Sequence, residues 1–401
     1  MRVAIVAEYY PRAENPVLGV WAHRQALAAR DAGADVRVLV LQRPLPPLAA
    51  VKRGDVAAVR AALRQPRHAL LDGLEIEYVR YLSPPRPWSY AAWGAWAAPA
   101  LRRALRRLHT SFPFDLIHAH YAVPAGDAVR RAQGAAPLVV SVHGGDVLAT
   151  AQRSVYACRT VQRTFAHAGL VLANSAGIER RCRALGARAT QVVHLGTDLP
   201  AQSLTPRRAD APPTLVTVGH LVARKRHADV IDALALLAPR HPLLRYEIIG
   251  DGPERAALEQ LALVRGVRDR VAFTGQLPPA QARARAAAGD LFVLPSVDEA
   301  FGVAYVEAMA AGVPAIGCAG EDGPDEIAAT GGGLLQVPSR DPRALADAIE
   351  RLLADDAARA QLGRDAHATV ERAFTWERCG RATVAAYEHV LTRRFQGPGV
   401  G

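Results

Sequence analysis

Short apolar runs alternate with helix-like stretches along this chain, and the alternation starts again in the middle of the sequence. In the first half, the runs predict strands at 2–8, 34–41, 74–80, 115–120, 137–144, 170–175 and 190–196. In the second half, they predict strands at 214–220, 245–252, 270–275, 290–296, 313–318 and 332–337. Helical patterns cover 21–32, about 97–109, 227–238 and 253–264, and two or three more helices close the chain. Short strands separated by helices favour mostly parallel sheets with both faces covered.

This doubled pattern predicts an α/β fold of two Rossmann-like domains with a cleft between them. The length agrees, because 401 residues exceed what one small core requires. The segment 199–213 is rich in Pro and polar residues, which is typical of an interdomain linker. We therefore expect an N-terminal domain over 1–200 and a C-terminal domain over 212–375.

The composition is that of a water-soluble protein, with 50% hydrophobic residues, 22% charged residues and a mean hydropathy of +0.02. Apolar runs such as 231–238 are far shorter than the roughly 20 residues of a membrane span. The N-terminal stretch lacks the features of a signal peptide, so we expect a cytoplasmic protein. The cysteines are widely spaced without a CxxC pair, which indicates neither zinc nor disulfides: Cys158, Cys182, Cys318 and Cys379.

The net charge of +11 comes almost entirely from arginine, since only Lys52 and Lys225 are lysines among 49 basic residues. One interpretation is a solvated, arginine-rich surface without a function. Another is attraction to anionic ligands or to an anionic membrane face. Nucleic acid is the least supported partner, because no recognition motif accompanies the charge.

The stretch 87–108 combines three tryptophans with a helix that has leucines on one side and arginines on the other. Its apolar positions are Leu101, Leu105 and Leu108, and its basic positions are Arg102, Arg103, Arg106 and Arg107. Such a helix fits a membrane interface with anionic head groups. The same pattern is typical of any helix that covers a sheet, so both interpretations stay open.

In parallel sheets, ligands bind beyond the carboxyl ends of the strands, so residues that follow each strand are the candidates for a site. Arg224 and Lys225 follow the first strand of the second half and suit a diphosphate, although they also fit ordinary helix-flanking charge. Gly250 and Gly252 follow the next strand and permit a tight turn with close backbone approach. We expect Pro253 at the first position of the following helix.

Two glutamates eight positions apart, Glu299 and Glu307, flank a predicted helix start near Gly302–Val303. The backbone N–H groups around Phe301–Val303 are expected to point into the cleft as an anion site. Carboxylates beside them accept hydrogen bonds from sugar hydroxyls. From the spacing alone, matching of the helix dipole with solvent exposure explains the two acids equally well.

The first half carries histidines where two strands end. His143 precedes a Gly-Gly turn, and His118 and His120 lie in the run IHAHY, which ends at Tyr121. No pair has the i,i+4 spacing of a zinc site, so we expect no metal. Gly19 lies at the mouth of the first βα unit, where its backbone can approach a phosphate.

The stretch SVDEAFGVAYVEAMAAGVPAIG, residues 296–317, resembles the E-x7-E signature of the retaining family 4 glycosyltransferases, which have the GT-B architecture. The runs VGHLVARK, IIGDGPERAALEQLA, VAFTGQLP and GPDEIAATGGGLLQVPSRDP are similar to other blocks of that family, in the same order. The runs ENPVLGVWAHRQALAARDAGADVRVL and IHAHYAVPAG resemble the subgroup that builds bacterial surface polysaccharides. The resemblance covers nearly the whole chain.

The resemblance implies transfer of a sugar, with retention, from a UDP- or GDP-sugar to a glycan or lipid-linked acceptor in surface polysaccharide biosynthesis, without a metal or other cofactor. Glu299 would accept hydrogen bonds from the donor sugar, and Glu307 would bind the ribose. Arg224 and Lys225 would neutralise the diphosphate, and His143 would contact the sugar near the reacting centre. The remaining donor-binding positions would be Gly19, Gly219, Gly250, Gly252, Ala300, Phe301, Gly302 and Val303. On the acceptor side, the first half would contribute His120 and Tyr121.

The chain departs from the family pattern at His220, where members often carry Arg, so phosphate binding would rest on Arg224 and Lys225. Leu195–Gly196 replaces an Asn-Gly pair often present after the last strand of the first domain. In this architecture the last helix, about 376–395, packs back on the N-terminal domain. Two alternatives stay open: an epimerase or hydrolase that acts on the sugar nucleotide, and a catalytically silent binding protein.

Overall fold

The computed structural model describes residues 1–12, 15–45, 51, 53–64, 66–132, 134, 136–200 and 211–395. The chain divides into two compact units: Met1–His194 with the chain from Trp376 onward, and Leu195–Thr375. The first unit ends at His194, ahead of the expected boundary at 200, so 195–200 belong with the second unit. The central part of the predicted linker, 201–210, lies outside the described residues.

Among its described residues, the first unit contains eight strands. They are β1 (Arg2–Ala7), β2 (Asp35–Gln42), β3 (His68–Leu71), β4 (Leu74–Arg80), β5 (Leu116–His120), β6 (Leu138–Val142), β7 (Leu170–Ala173) and β8 (Thr190–Val192). Its helices are α1 (Val20–Asp31), α2 (Val56–Arg64), α3 (Arg86–Ser89), α4 (Trp93–Ser111), α5 (Asp127–Ala132), α6 (Val155–His167), α7 (Ala176–Ala184) and the closing α15 (Trp376–Phe395). The strands form one sheet in the order β3-β4-β2-β1-β5-β6-β7-β8. The direction of strand addition reverses between β1 and β5.

All pairings in this sheet are parallel except β3 with β4, which form an antiparallel hairpin. The sequence analysis missed β3. Asp72 and Gly73 connect the two strands with φ angles of 50° and 79°, the left-handed pair that a tight two-residue hairpin requires. The Asp-Gly dipeptide was therefore a local signal for this hairpin.

The closing helix α15 packs on α1 within the first unit. A Cβ on Gly380 would lie 2.1 Å from the carbonyl oxygen of Ala28, so glycine allows the two helices to approach closely. The amide of Gln25 donates to Thr383 Oγ1 at 3.1 Å, and Tyr387 is fully buried. These contacts attach the end of the chain to its beginning.

In the part of the second unit that the structure describes there are six strands, and all of their pairings are parallel. They are β9 (Thr214–Val218), β10 (Arg245–Ile249), β11 (Val271–Gly275), β12 (Leu291–Val293), β13 (Ala315–Cys318) and β14 (Leu334–Val337). Its helices are α8 (His227–Leu237), α9 (Arg255–Val264), α10 (Pro279–Ala287), α11 (Val303–Ala310), α12 (Asp322–Thr330), α13 (Pro342–Ala354) and α14 (Asp356–Ala373). The sheet order β11-β10-β9-β12-β13-β14 reverses between β9 and β12. Each unit thus contains a switch point of the kind at which α/β proteins bind ligands.

Several predicted strands end two or three residues early, because the chain leaves the sheet to form the loops beyond its carboxyl edge. The expectation for Pro253 was wrong: α9 begins at Arg255. The backbone N–H of Glu254 donates to the carbonyl of Leu221 at 3.0 Å, so this stretch is held as a turn against the β9 loop.

Candidate active site

The loops that follow β9 and β12 meet at the switch point of the second unit. Arg224 and Lys225 form a short 3₁₀ turn after β9, and Glu299 lies in the loop between β12 and α11. A backbone bond joins the two loops, from the N–H of Val297 to the carbonyl of Arg224 at 2.8 Å. The sheet order therefore brings together three predicted site residues that are about 74 positions apart in the chain.

An ion pair between Lys225 and Glu299 forms the centre of this arrangement. Lys225 Nζ lies 2.5 Å from Glu299 Oε2, and Arg224 Nη1 lies 3.7 Å from the same oxygen. The Lys225 and Glu299 side chains are nearly buried, whereas the Arg224 side chain is 47% exposed. Arg224 is thus the more accessible of the two cations.

Burial acts to raise the pKa of Glu299, but the charges of Lys225 and Arg224 and the hydrogen bonds from Lys225 and Ser296 outweigh it. The pKa of Glu299 is therefore held below its ordinary value, and the group is an anion at neutral pH. An ammonium group has three N–H donors, and the contact with Glu299 uses one of them. The same ammonium can therefore also donate to phosphate oxygens.

Three residues that the sequence analysis did not select hold the Glu299 loop in place. Ser296 Oγ donates to Glu299 Oε2 at 2.8 Å, and the Glu321 carboxylate accepts from the backbone N–H of Glu299 at 3.0 Å. The N–H of Gly323 donates to the Glu299 carbonyl at 2.8 Å, which ties the loop to α12. Glu321 stands shortly after β13, so the rule that selects residues beyond strand ends also applied to it.

The start of α11 has the predicted position, with Gly302 as the residue before the helix at φ 85°. A Cβ there would lie 2.4 Å from the ring of Tyr305, so only glycine fits this turn. Phe301 is 1% exposed and packs against the ring of Phe374, and Ala300 is also buried. Val303 is the first residue of the helix, so the backbone of 301–303 forms its N-terminus.

Glu307 lies one turn into α11 and is partly buried. Arg283 Nη1, from α10, lies 3.8 Å from its Oε1 atom. The two glutamates of the E-x7-E stretch, Glu299 and Glu307, therefore differ in their surroundings. Glu299 is enclosed by cations and backbone, whereas Glu307 has a more exposed and longer contact with one arginine.

The glycines after β9 and β10 have a packing role. A Cβ on Gly250 would lie 1.9 Å from the Gly219 carbonyl oxygen, and a Cβ on Gly252 would lie 2.4 Å from the Leu221 carbonyl oxygen. A Cβ on Gly219 would lie 4.0 Å from the Lys225 side chain, so its own position leaves room for that side chain. Gly250 and Gly252 thus let two loops pack backbone to backbone behind Lys225.

A chain of histidines lies at the carboxyl edge of the first unit's sheet. His118 is fully buried and bonds to Tyr387 and Ser141 at 2.8 and 2.7 Å. His120 is also fully buried, and its Nδ1 lies 3.0 Å from His143 Nε2. His143 is partly exposed. His120 thus lies behind His143 and is held to it by this bond.

Burial lowers the pKa of His118 and of His143 to about 3 and lowers the pKa of His120 well below its usual value. The three imidazoles are therefore neutral at physiological pH. Asp146 follows in the same loop and is fully buried, and burial raises its pKa to about 7 despite a bond from the Ala122 N–H at 2.7 Å. Within the described residues, His143 Nδ1 and Asp146 Oδ2 are buried atoms without a hydrogen-bond partner.

Gly19 precedes α1 with φ 64°, and a Cβ there would lie 2.2 Å from the carbonyl group of Tyr9. Close approach of the chain after β1 therefore requires this glycine. The ring of Tyr121 lies 5.3 Å from that of Tyr9 and 5.1 Å from that of His143. Tyr121 thus joins the β1 loop to the histidine chain.

Glu8 is a further candidate that the sequence analysis did not select. It directly follows β1, is 7% exposed, and accepts a bond from the hydroxyl of Tyr90 at 2.8 Å. Arg86 Nη1 lies 3.7 Å from its other carboxylate oxygen. Its place beyond a strand next to the switch point was a usable signal.

Helix α4 buries Leu101 and Leu105 in the first unit, as a sheet-covering helix does. Arg102 donates to the carbonyls of Ala132 and Arg131, so it also serves the fold. Within the described part of the chain, no helix combines the length and the hydropathy needed to cross a bilayer.

Two family models together match most of the chain. The model described as Glycosyltransferase Family 4 matches residues 18–200, and the model described as Glycosyl transferases group 1 matches residues 204–369. The boundary between the matches falls in the segment predicted as a linker.

Two relatives match over most of their length. The chain is 30% identical over 337 residues to 2-deoxystreptamine glucosyltransferase of Streptomyces kanamyceticus, which covers 74% of this chain and 83% of that protein. It is 27% identical over 407 residues to TuaC of Bacillus subtilis strain 168, a protein assigned to teichuronic acid biosynthesis as a glycosyltransferase. That match covers 97% of this chain and 99% of TuaC.

Solved structures share the fold. Sucrose-phosphate synthase from Thermosynechococcus elongatus superimposes with a TM-score of 0.76 at 22% identity, over 98% of this chain and 100% of that chain. Anabaena HepE, solved in complex with UDP-glucose, has a TM-score of 0.71 at 21% identity, over 97% of this chain and 100% of that chain. The predicted α/β fold of GT-B type is confirmed. The family models and the Streptomyces kanamyceticus relative show that the chain belongs to family 4 of the glycosyltransferases.

Proposed function

We propose that the protein is a retaining glycosyltransferase that moves a hexosyl group from a nucleoside-diphosphate sugar to a glycan or lipid-linked acceptor in cell-surface polysaccharide biosynthesis. The observation that carries this proposal is the Lys225–Glu299 pair beside Arg224 at the switch point of the second unit. TuaC is assigned to such a pathway, and LpsE of Rhizobium meliloti is a lipopolysaccharide core glycosyltransferase, 34% identical over 46% of this chain. HepE was solved with UDP and UDP-glucose, which supports a nucleotide-sugar donor.

In this proposal, Lys225 and Arg224 bind the diphosphate and stabilise the negative charge that grows on it as the sugar departs. Glu299 is ionised and accepts hydrogen bonds from the sugar's hydroxyls. The backbone at the start of α11 holds sugar or phosphate, and Glu307 accepts from the ribose hydroxyls. The two acids and the two cations thus address different parts of one donor.

The first unit would supply the acceptor side. His143 is neutral, so its imidazole donates or accepts a hydrogen bond at the sugar without adding charge near the reacting centre. Its contact with His120 fixes the ring. Tyr121 stands beside it and would meet the acceptor.

Release of nucleoside diphosphate, measured with and without an acceptor extract, tests the proposal. Release that requires acceptor supports transfer. Release without acceptor supports an epimerase or hydrolase, and no release from any donor supports a silent binding protein. A thermal-shift screen with UDP-, GDP- and ADP-sugars selects the donor beforehand, and NMR of the product anomer decides between retention and inversion.

The absence of a metal requirement stays a prediction. Because Lys225 and Arg224 would neutralise the diphosphate themselves, turnover should survive EDTA treatment with a change of less than twofold. Loss of turnover in EDTA that Mg²⁺ or Mn²⁺ restores would contradict it.

We also propose that the enzyme works at the cytoplasmic face of the membrane, in peripheral contact with anionic lipid. Trp96 is 53% exposed, and Arg103 follows it two turns later on the same stripe of α4. A groove of about 350 Å³ beside this stripe is rich in arginine, with Arg67, Arg80, Arg103 and Arg107 in its lining.

Cosedimentation with phosphatidylglycerol vesicles checks this contact. Binding should fall with salt and should be lost in Arg103→Glu/Arg106→Glu. Arg153→Glu/Arg188→Glu is the matched control, because it makes the same charge change at exposed positions of the same unit. Equal loss in both variants, or binding that ignores salt, would reject a specific contact.

A further inference from the structure

A cluster of arginines and aromatic rings surrounds Glu8 in the first unit and is not used by the roles described above. The Arg86 guanidinium lies over the ring of Tyr90 at 4.1 Å and within 5.8 Å of the Trp93 ring centre. The Arg43 guanidinium lies 5.3 Å from the centre of that same Trp93 ring. Two cations thus converge on one indole.

The charges in this cluster do not balance. Glu8 faces Arg86 directly at 3.7 Å, and the charge of Arg12 also acts on it. Arg43 shares the Trp93 ring with Arg86, so three guanidiniums stand around one carboxylate, Glu8, among the described residues of this cluster. Burial also raises the pKa of Glu8, which further weakens its neutralising effect. The cluster therefore keeps an excess of positive charge.

Buried polar atoms without partners accompany this charge. Within the described residues, four such atoms lie at or beyond the carboxyl ends of strands β1, β2 and β4: Arg12 Nε, Gln42 Oε1, Tyr81 OH and Ser83 Oγ. The ends of β2 and β4 are joined by a bond from the Tyr81 N–H to the Gln42 carbonyl at 3.0 Å. Buried polar atoms are normally satisfied by protein, water or a ligand, so these unpartnered atoms are available to bond a ligand that enters the cluster.

The cluster is continuous with the predicted reacting centre. The Arg86 guanidinium lies 5.2 Å from the centre of the Tyr9 ring, which contacts Tyr121, which in turn contacts His143. A molecule held at Arg86 would therefore lie a few side chains from His143. Guanidiniums suit the oxygens of phosphate or carboxylate, and the unpartnered hydroxyl and amide groups suit sugar hydroxyls.

We propose that Arg86, with Arg43 and Arg12, binds an anionic group on the acceptor, next to sugar hydroxyls held by Tyr81, Ser83 and Gln42. This inference rests on the proposed function, since it names the chemistry of the acceptor. The anion is either the diphosphate of a lipid-linked sugar or the carboxylate of an acidic sugar, which share the same recognition chemistry.

The test is a binding measurement on the full chain carrying Arg224→Ala/Lys225→Ala, so that the cations of the second unit do not contribute. Inorganic pyrophosphate and methyl glucuronide are titrated, with methyl glucoside as the neutral comparison, and quenching of tryptophan fluorescence reports binding because Trp93 lies in the cluster. Adding Arg86→Gln should weaken binding of the anionic probe about tenfold or more, the usual effect of losing a charged hydrogen bond. Adding Arg153→Gln, an exposed arginine of the same unit, should change it less than twofold.

Stronger binding of pyrophosphate assigns the anion to a diphosphate, and stronger binding of methyl glucuronide assigns it to an acidic sugar. Since Arg86→Gln leaves Glu8 without its nearest cation, the double variant Glu8→Gln/Arg86→Gln repeats the test without that imbalance, and it should lose binding equally. The inference is overturned if neither anion binds, if methyl glucoside binds as well as methyl glucuronide, or if either Arg86 variant binds like its parent. Nucleoside diphosphate release is not the readout, so failure of this inference is distinguishable from failure of the proposed function.

Discussion

The two units have sheets that reverse direction in the same way, yet the two switch points carry different chemistry. At the carboxyl edge of the second unit's sheet the side chains are charged, because Lys225 and Arg224 hold Glu299 as a carboxylate. In the first unit, the histidine part of the edge is neutral, because burial lowers the pKa values of His143 and His120. The comparison teaches that one strand order provides a place for a site, while the local charge balance decides which ligand group it suits.

The largest effect is expected from Lys225→Ala. Turnover should fall about a hundredfold or more, because the ammonium matters most as negative charge grows on the leaving diphosphate. Binding of the free nucleoside should change little. Steady-state kinetics and nucleoside titration measure both, with Arg265→Ala as control, an exposed arginine that pairs with Asp232 in the same unit. Unchanged turnover in the lysine variant would show that the charge of Lys225 takes no part in the mechanism.

The ion pair should also matter for stability, and only in its own unit. Glu299→Ala leaves the nearly buried Lys225 without its closest partner and should lower the free energy of unfolding by about 3 kcal/mol. The double variant Lys225→Met/Glu299→Met should lower the free energy of unfolding less, because no uncompensated charge remains.

Tryptophan fluorescence distinguishes the units in that experiment. All five tryptophans lie in the first unit: Trp21, Trp88, Trp93, Trp96 and Trp376. Urea unfolding followed by circular dichroism should therefore shift in Glu299→Ala, while the fluorescence transition should stay in place. A shift of both transitions by the same amount would show that the units do not unfold separately.

A glycine pair tests the packing of the first unit's edge. Gly19→Ala would place a Cβ 2.2 Å from the Tyr9 backbone, whereas a Cβ on Gly33 meets nothing within 4 Å. Both glycines have positive φ angles, so the comparison separates the steric clash from backbone strain. We expect Gly19→Ala to lower the free energy of unfolding by about 2 kcal/mol more than Gly33→Ala does, as measured by the fluorescence transition. Equal losses would mean that the β1 loop relaxes easily.

The last expected effect is a difference in pH dependence between the two units. The pKa of Glu299 is lowered on folding, so its contribution is present above its ordinary pKa and is lost as pH falls through the folded value. The pKa of Asp146 is raised to about 7, so the folded state keeps a proton that the unfolded state releases. The contribution of Asp146 to the stability of the first unit should thus decline as pH rises from about 4 to 7, by at most about 1.4 kcal/mol per pH unit. The lowered pKa values of His118, His120 and His143 give slopes of the opposite sign in the acidic part of this range, so the contribution of Asp146 is isolated by comparison with a variant.

Unfolding monitored by fluorescence across that pH range checks the sign of the Asp146 contribution. The free energy of unfolding of the wild type minus that of Asp146→Asn should fall as pH rises across this range, whereas the same difference for Asp269→Asn, an exposed acid of the other unit, should stay constant. A difference for Asp146→Asn that stays constant or rises with pH would contradict the assignment.

Prediction from sequence succeeded where the signal is local and periodic. The strand 74–80 and the start of α11 at Gly302–Val303 were placed correctly, because alternation and a glycine before a helix act over a few residues. The hairpin strand β3 was missed although its Asp-Gly turn was visible. The prediction of Pro253 at a helix start was wrong for a different reason. The bond from the Glu254 N–H to the Leu221 carbonyl holds this stretch as a turn, and it joins residues that are distant in sequence.

Candidate residues beyond strand ends were also found from local pattern, but their surroundings were not. Ser296 and Glu321 were overlooked, since nothing near them in sequence shows that they fix Glu299. Glu8 was overlooked although it directly follows β1.

The amino-acid sequence alone established the alternation of strands and helices, the repetition of this pattern in the two halves, and the set of polar residues beyond strand ends. Periodicity is a property of neighbours in the chain and needs no tertiary contact to be seen. The pairing of Lys225 with Glu299, the neutrality of the histidines and the excess of arginine around Glu8 were decided only in three dimensions. Each depends on burial and on charges brought together from distant segments, and both arise only when the sheets assemble.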